Sequence, residues 1–551
     1  MTAPAQLLLG PLLRYNDRTT ACVWVETSVP AEVTVRGCTE PTFEVAGHHY
    51  GYVVVENLPP GTDEPYEVLL DGRPAWPLPD DHRPAPRLRT VSPDDELTVV
   101  FGSCRADRPH EEPWTLLVDE HPDGVGVDAL HALSRQLQSG DGALPDLLLM
   151  LGDQVYADEG MSPRVRQRQV ERRGDTSEPR AEVADFEEYT WLYRDSWSDP
   201  EVRWLLATVP SAMVFDDHDV RDDWNTSAAW REQMQAVPWW HDRVVGAYMS
   251  YWLYQHIGNL HPDRLREQGV YDRVRREGTA ALREYAELAD HEVDGGRLVR
   301  WSYGRDLGAA RLVVVDTRSG RVLDEQRRAM LSEDEWDLVE GFLRGDTPHL
   351  LVASSLPLVL EHSLHDLERW DDALCGGGWG RRFLRLGEKV RQGADLEHWA
   401  AFPESFDRVV RRLGEVASGQ RGEPPNTVLV LSGDVHHTYV APLRFPAIDG
   451  VRSAVVQVVS SPLRNAVPKA IRRGFRVAAS RPAAAVGRLL ARSVRLPRPP
   501  VEWELTTGPL TGNGLGVLRL SGRVARVELH AARRRGSAAV LERVHSERLG
   551  G

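Results

Sequence analysis

Five short apolar segments of this chain each end at side chains that can bind metal or phosphate. Runs of four to six residues rich in Val and Leu are typical of strands buried on both faces of a sheet. Ligands gather at the carboxyl ends of strands in open α/β sheets, so these side chains should share one edge. Their oxygen, nitrogen and sulfur donors predict a metal centre and metal-assisted hydrolysis. The junctions are LTVVF before Gly102-Ser103-Cys104, LLLML before Gly152-Asp153, SAMVF before Asp216-Asp217-His218-Asp219, RLVVV before Asp316-Thr317-Arg318, and TVLVLS before Gly433-Asp434-Val435-His436.

Asp153 and Tyr156 follow the second segment in the pattern Gly-Asp-x-x-Tyr. A carboxylate at a strand end can bridge two cations, the arrangement that clamps a phosphoryl group during transfer. Tyr156 could bind the same centre only as a phenolate, and an ordinary tyrosine pKa of about 10 requires a strongly charged ion to release the proton. This requirement favours Fe³⁺ over a divalent ion there. A simple turn is the competing interpretation of an isolated Gly-Asp pair.

The third segment leads into three residues with complementary chemistry. Asp217 could ligate metal, while His218, oriented by Asp219, could protonate the leaving oxygen of a substrate. Helix capping is an alternative use of successive carboxylates. The nearby Asp222 and Asp223 exceed what capping needs, and Asp223 is a reserve metal ligand.

Asp434 and His436 are two residues apart, so on an extended segment they would project to the same side and could ligate one dinuclear site. Gly433 would let the backbone approach closely, and His437 would face away as a packed or solvated residue. Cys104 is either a thiolate ligand or a small core residue, and its type alone does not decide between them.

Arg105 and Arg318 are candidates for a phosphate clamp, because a guanidinium group matches phosphate geometry with two hydrogen bonds. Only Lys389 and Lys469 of the 66 basic residues are lysines, which leaves 66 − 2 = 64 arginines. With so many arginines in the chain, neither Arg105 nor Arg318 by itself indicates a phosphate-binding site.

Length and charge limit the possible functions. A chain of 551 residues is expected to form two to four domains. Its formal net charge of -16 argues against nucleic acid as a binding partner, since the phosphate backbone needs a basic surface. Four cysteines do not make a disulfide framework.

The N-terminus lacks the features of a signal peptide, and no apolar run is long enough for a membrane span, so the sequence as it stands predicts a cytoplasmic protein. A true start lying upstream would allow export.

The pattern of apolar residues changes along the chain. Residues 1–92 predict a small β-sandwich of immunoglobulin or fibronectin type, and the Pro-rich stretch from Pro77 to Pro93 is the predicted linker. Residues 93–551 predict an α/β domain in which strands alternate with amphipathic helices. Residues 161–183 are Arg-rich and poor in apolar side chains, which predicts a mobile surface loop.

Residues 464–500 contain ten basic residues and no Asp or Glu. We interpret them as a basic helical insertion. A solvated helix is one interpretation, and an amphipathic helix lying on an anionic membrane surface is the other.

Taken in order, the motifs FGSCR, GDQVYADE, FDDHDVRDDWN, VDTR and SGDVHH resemble those of the alkaline phosphatase D family, the PhoD-type branch of the calcineurin-like metallophosphoesterases. The resemblance covers residues 94–462 and implies a four-layer α/β sandwich, two mixed sheets flanked by helices, with the N-terminal β-sandwich beside it. It implies metal ligation by Cys104, Asp153, Tyr156, Asp217, Asp434 and His436, with Fe³⁺ as in the similar Gly-Asp-x-x-Tyr site of purple acid phosphatases, and a second cation for which Ca²⁺ is favoured.

Three positions depart from the wider superfamily. Ser103-Cys104 replaces the usual Asp-x-His, Asp217 stands where related enzymes have Asn, and Asp434 stands where they have His. The family is typically exported through a twin-arginine signal, which this chain lacks.

These observations lead to one main hypothesis and two alternatives. The main hypothesis is a metal-dependent phosphohydrolase that attacks phosphomonoesters or phosphodiesters with a metal-bound hydroxide at a multinuclear centre. One alternative is a phospholipase D-like or teichoic-acid-like phosphodiesterase that works at a membrane surface. The other is a metal-stabilised binding protein without turnover. The sequence does not indicate the oligomeric state.

Overall fold

The computed structural model describes residues 4–92, 96–158, 160–293, 298–536 and 538–550. The predicted boundary between residues 92 and 93 borders residues 93–95, which lie outside this described part.

Strands dominate the two ends of the described chain. They are β1 (Leu7–Asn16), β2 (Ala21–Thr27), β3 (Glu32–Val35), β4 (Cys38–Pro41), β5 (Phe43–Val45), β6 (His48–Val55), β7 (Asp63–Pro65), β8 (Val68–Leu70), β9 (Arg73–Trp76), β10 (Arg87–Arg89), β11 (Leu97–Gly102), β12 (Leu147–Leu151), β13 (Ser211–Val214), β14 (Tyr303–Asp306), β15 (Ala310–Val315), β16 (His349–Ser354), β17 (Thr427–Ser432), β18 (Thr438–Arg444), β19 (Ala454–Val459), β20 (Glu502–Trp503), β21 (Thr507–Leu510), β22 (Gly514–Ser521), β23 (Val524–Arg535) and β24 (Ala538–Leu549).

Helices fill most of the connections between the central strands. They are α1 (Ala129–Gln138), α2 (Pro163–Arg173), α3 (Phe186–Trp197), α4 (Pro200–Thr208), α5 (Ala228–Gln235), α6 (Trp240–Ser250), α7 (Pro262–Glu267), α8 (Val270–Glu277), α9 (Thr279–His291), α10 (Glu333–Phe342), α11 (His362–Cys375), α12 (Leu384–Gly393), α13 (Pro403–Ser418), α14 (Lys469–Ala478) and α15 (Arg481–Ser493). None of the helices in the described ranges combines the length and apolar composition that crossing a bilayer requires.

Two mixed sheets form the main α/β sandwich of the described residues. One runs in the order β13-β12-β11-β22-β23-β24, with β11 parallel to β12 and antiparallel to β22. The other runs β14-β15-β16-β17-β19-β18-β20, with β21 also pairing with β18. The α/β fold class is therefore confirmed. The C-terminal strands β22 and β23 extend the same sheet as β11 and β12.

Alternate residues of the central strands belong to different cores. In β16, Leu351 and Ala353 pack into the core shared with the first sheet, whereas Leu350 and Val352 pack toward α10 and α13. Successive side chains of a strand point to opposite faces of the sheet, and here both faces are covered, so neighbouring residues enter different cores. The continuous apolar segments of the sequence are explained by this double burial.

The first ten strands form the predicted N-terminal β-rich unit. Its sheets run β1-β2-β6-β5 and β4-β3-β8-β9, with β7 and β10 as a separate two-stranded ribbon. One face carries its own core, which includes Val23, Val33 and Val53. The other face places Trp24 and Tyr50 in the same core as the α/β sandwich.

The aromatic segments that were predicted to be amphipathic helices are helical. Residues 185–210 form α3 and α4, which are separated where Asp199 caps α4 ahead of Pro200. Residues 237–261 contain α6, which continues as a π-helix over Tyr251–Gln255.

The mobile loop predicted over residues 161–183 is wrong for its first half, because residues 163–173 form α2. The helix starts at the N-cap Ser162, whose hydroxyl accepts from the Val165 amide at 3.3 Å. Its C-terminal arginines are anchored by the fully buried Glu188: Arg172 Nη1 donates at 3.0 Å and Arg173 Nε at 2.6 Å. Ion pairs with a buried carboxylate replace the missing apolar contacts.

Candidate metal centre

The ends of four strands meet at one edge of the sandwich. The Cys104 amide after β11 donates to the Gly152 carbonyl at 3.3 Å, and the Asp434 amide after β17 donates to Ser103 Oγ at 2.9 Å. Gly433 makes this approach possible, since a Cβ there would lie 2.1 Å from Ser103 Oγ. Cys104, Asp153, Asp217 and Asp434, which are far apart in sequence, are thereby brought together.

Several non-glycine residues at these strand ends have left-handed backbone conformations. Their φ angles are 57° at Cys104, 50° at Asp153, 65° at Asp434 and 54° at His436. Such angles are uncommon for non-glycine residues and cluster where the surrounding structure holds a functional side chain in place. The segment from Asp434 to His436 is therefore a turn, and the predicted extended conformation is wrong, although both side chains line one cavity.

Two groups of side chains bring their donor atoms within 4.8 Å of one another. One consists of Asp153, Asp217 and His218, and the other of Asp216, Asp217 and Asp434. Asp217 belongs to both groups, so its carboxylate is the one best placed to serve two cations.

Arg318 neutralises the second of these groups. Its guanidinium group is fully buried, with Nε donating to Asp216 at 2.5 Å and Nη2 lying 3.2 Å from Asp217 and 3.1 Å from Asp434. Its Nη1 pairs with Glu397, and the surrounding carboxylates raise the Arg318 pKa despite burial. These partners differ from the predicted phosphate clamp, because the group faces the carboxylates and has no exposed surface.

In the first group, Arg318 reaches only Asp217, and no arginine or lysine pairs with Asp153 among the described residues. Asp153 Oδ1 is buried without a hydrogen-bond partner among the described residues, and so is Asp223 Oδ1 nearby. Burial and neighbouring carboxylates raise the pKa of Asp153 well above its usual value, and that of Asp223 to about 9. Buried carboxylate oxygens without donors are costly unless a cation compensates them. The residues present therefore fit a bound metal.

His218 is held by a carboxylate other than the predicted one. Its Nδ1 lies 2.9 Å from Asp158 Oδ2, whereas Asp219 accepts from the backbone amides of Gln154 at 3.2 Å and Val155 at 3.3 Å. The Asp219 side chain points back into the loop after β12, because adjacent residues on this turn diverge. Burial would lower the pKa of His218, but Asp158 and the other carboxylates raise it well above its usual value.

Tyr156 and Cys104 border the same group of carboxylates. Tyr156 Oη accepts from Asn465 Nδ2 at 3.0 Å, and its ring lies 4.6 Å from that of His218. Cys104 Sγ lies 3.1 Å from Ser103 Oγ and 3.4 Å from the Asp434 carbonyl. Burial raises the pKa of both groups, so each needs a cation to become an anionic ligand.

Two further histidines, His398 and His436, complete the site. His398 Nε2 lies 3.0 Å from Asp434 Oδ2, and its Nδ1 lies 2.6 Å from Glu368. His436 is half-buried near His218 and Asp434, and its pKa is lowered to about 4, mainly by desolvation. A neutral imidazole is the form that binds metal.

Arg105 lies behind the site. Its guanidinium group is buried, with Nε donating to Asp128 at 2.8 Å and Nη1 to the Ser196 carbonyl at 3.0 Å. In this arrangement it does not face the cavity in which a phosphate would bind.

The carboxylates open into a cavity of about 340 Å³. Its polar wall includes Asp153, His218 and His398, and its apolar wall includes Ile471 and Phe475 of α14. A larger cavity of about 590 Å³ lies beside α15, and these carboxylates are not among its lining residues.

Comparison with known proteins agrees with this architecture. The model of the family described as PhoD-like phosphatase matches residues 131–496, about two thirds of the chain. The chain belongs to the PhoD-like phosphatase family. Residues 4–88 match a second family, described as a domain of unknown function (DUF7800).

A solved structure described as "Structure of PhoD" shares 13% sequence identity with this chain, with a TM-score of 0.60. The alignment covers 100% of this chain and 91% of that one, so the whole fold is similar. No curated protein matches the sequence. Membership of this family implies metal cofactors and phosphate-ester substrates.

Four residues of this site received no role from the sequence motifs: Asp158, although it lies within GDQVYADE, and Glu368, Glu397 and His398. Two of them, together with Asp395, lie in the segment Asp395-Leu-Glu-His-Trp399, where charged residues interrupt an apolar stretch. That local density of acidic and imidazole side chains was the available signal.

Proposed function

We propose that this PhoD-like phosphatase is a metal-dependent phosphohydrolase acting on phosphomonoesters or phosphodiesters at the cluster of Asp153, Asp217 and His218. The observation that carries the proposal is the buried Asp153 Oδ1, which lacks a hydrogen-bond partner within the described residues and lies beside two further donors. Cys104, Asp153 and Tyr156 would hold Fe³⁺. Asp217, Asp434 and His436 would hold a divalent ion, for which carboxylate oxygens favour Ca²⁺.

Bound cations would polarise the phosphoryl oxygens and lower the pKa of water. The protein itself would supply the proton. His218 faces the cavity, and its raised pKa keeps it protonated near neutral pH, so it can donate a proton to the leaving oxygen. Asp158 would hold the imidazole in the orientation that this donation requires.

Asp153→Asn tests the proposal, because the amide keeps the shape of the side chain but removes its charge. We expect loss of bound metal and a decrease in hydrolysis of p-nitrophenyl phosphate and bis-p-nitrophenyl phosphate of at least 100-fold. Elemental analysis and steady-state rates are the measurements. Asp337→Asn on the exposed surface of α10 is the matched control and should change neither. Full metal content and activity in Asp153→Asn would contradict the proposal. Wild-type protein that holds metal but hydrolyses neither ester would favour the binding protein without turnover.

A second candidate function is a phosphodiesterase acting at an anionic membrane surface. It is favoured by α14 and α15, which carry basic residues together with exposed apolar side chains, while α14 also borders the cavity. Ile471, Val477, Val486 and Leu489 expose 47%, 64%, 57% and 62% of their surface. Basic helices with exposed apolar residues bind anionic interfaces.

Sedimentation with vesicles tests this second function. We expect the wild type to bind vesicles containing phosphatidylserine at low salt, and the double variant Val477→Ser/Leu489→Ser to bind at least tenfold more weakly, since both side chains are more than half exposed. Vesicles of phosphatidylcholine alone are the lipid control, and Val544→Ser, at an exposed position on β24, is the protein control. Equal binding of both variants, or no binding by the wild type, would exclude the membrane-surface function.

A further inference from the structure

A second set of potential ligands lies outside the candidate metal centre. His110 follows β11, His131 lies on α1, and Asp199 caps α4. Their donor atoms lie within 4.8 Å of one another. His110 Nε2 is 3.4 Å from Asp199 Oδ2, and His131 Nδ1 is 3.4 Å from Asp199 Oδ1.

These separations are longer than good hydrogen bonds between nitrogen and oxygen. His110 Nε2 is buried and has no hydrogen-bond partner among the described residues. Zinc bonds of about 2.0–2.1 Å in a tetrahedron place neighbouring ligand atoms about 3.4 Å apart. The two separations from Asp199 equal that ligand-to-ligand distance.

The surrounding groups already have other partners. Asp199 Oδ1 accepts from the amides of Glu201 and Val202 at 3.1 Å each and also faces His131 Nδ1, while Asp199 Oδ2 faces His110 Nε2. Asp128 caps α1 through Oδ1 and accepts from Arg105 through Oδ2 at 2.8 Å. The two imidazoles thus face the two oxygens of one carboxylate group.

Both imidazole rings are suited to be neutral ligands. They stack with centroids 4.1 Å apart and an interplanar angle of 22°, an arrangement that two imidazolium ions would oppose. Burial is the main cause that lowers the pKa of His110 to about 4. Each of the three side chains keeps 16–18% of its surface exposed, so water can reach the group.

We propose that His110, His131 and Asp199 form a second metal site, which binds a divalent transition-metal ion, best Zn²⁺, with its fourth position open to water. Imidazole nitrogen with one carboxylate oxygen is a donor set that zinc accepts. The ion would join the segment after β11 to α1 and α4. This site is independent of the proposed function, because none of its ligands belongs to the candidate metal centre.

Zinc stoichiometry of the full chain tests this site. Protein stripped with a chelator is titrated with Zn²⁺ against a chromophoric competitor, in an Asp153→Asn background that weakens the candidate metal centre. We expect one equivalent to bind in this background and to be lost on adding His131→Ala. His121→Ala, which changes a partly exposed histidine outside the proposed ligand set, should keep the equivalent.

Asp199→Asn separates ligation from folding, because asparagine caps a helix about as well as aspartate. We expect this variant to keep its thermal unfolding temperature without zinc and to lose the rise that zinc produces. The proposal is overturned if His131→Ala binds as much Zn²⁺ as its parent, or if the Asp153→Asn background binds none.

Discussion

At the scale of single residues, a buried arginine offsets the charge of some carboxylates of the site but not of all. Arg318 compensates Asp216, Asp217 and Asp434, while Asp153 keeps an oxygen without a donor in the described structure. A buried arginine that satisfies several carboxylates is expensive to desolvate and strongly destabilising to remove. Asp153 is thus left with a carboxylate oxygen that a bound cation could satisfy, while Arg318 offsets part of the negative charge of the other three carboxylates.

Asp158 controls the protonation of His218, which leads to a prediction for the metal-free protein. The Asp158 carboxylate lies 2.9 Å from His218 Nδ1 and raises the pKa of the imidazole. Asp158→Asn should lower that pKa, so His218 loses its proton at a lower pH than in the wild type. NMR titration of the His218 ring measures this directly.

Asp158→Asn should also lower kcat of the metal-loaded protein about tenfold or more, as expected for a misoriented general acid. Asp222→Asn is the comparison, because Asp222 Oδ1 lies farther away, 3.7 Å from His218 Nε2. A larger pKa shift in Asp222→Asn than in Asp158→Asn would contradict the assignment of Asp158 as the orienting group.

At the scale of elements, α2 depends on charge in place of apolar contact. Glu188 on α3 is fully buried and accepts from Arg172, Arg173, Gln169 and the Ala184 amide. Removing one partner of such a network leaves the others unpaired, and this costs more than the net stabilisation by the intact pairs.

Glu188→Ala should therefore destabilise the fold by about 2 to 4 kcal/mol, the range for breaking a partly buried ion-pair network. Denaturant unfolding gives the free energy, and hydrogen exchange should show faster opening of residues 163–173. Glu178→Ala is a suitable control, because the pair of Glu178 with Arg180 is mostly exposed and contributes little. Unchanged exchange in α2 would contradict this account of the helix.

Elements with strong apolar patterns could be predicted from the sequence, and those that depend on distant charges could not. The segments ending at Gly102, Leu151 and Ser432 are strands because Val and Leu fill both faces of a covered sheet. The helix α2 was missed because Glu188, which anchors it, lies outside its own sequence window.

In the candidate site, too, some residues could be predicted from the sequence and others could not. Residues directly after strands were identifiable because the topology of an α/β sheet determines where they meet. His398 and Glu397 were not, since they belong to a loop after α12 whose path no periodicity specifies. The partner of His218 was assigned to its sequence neighbour, whereas the side-chain directions in the turn select Asp158.

At the scale of the whole molecule, the N-terminal unit is joined to the α/β sandwich by a common core. Trp24 lies 5.3 Å from Tyr254 and 5.9 Å from Tyr50, measured between ring centroids. The buried Glu26 accepts from Arg194 of α3 at 2.7 Å. Packing of this kind makes independent movement of the two units unfavourable.

The two units should consequently unfold in a single transition. Trp24→Ala would remove an aromatic side chain from the shared core and should cost about 3 to 5 kcal/mol. Scanning calorimetry is the measurement, with the wild type and the variant each giving one peak, at a lower temperature for the variant. Two resolved peaks in the wild type would show that the units are energetically separate.

The pairing of β11 with β22 also has a consequence for synthesis on the ribosome. β11 ends at Gly102 and its antiparallel neighbour begins at Gly514, so 514 − 102 = 412 positions separate them. At about 5–20 residues per second, translation leaves that strand edge without its final partner for roughly 20 to 80 s. Until residues 514–521 emerge, nascent chains of this protein therefore expose an open backbone edge through which they can associate.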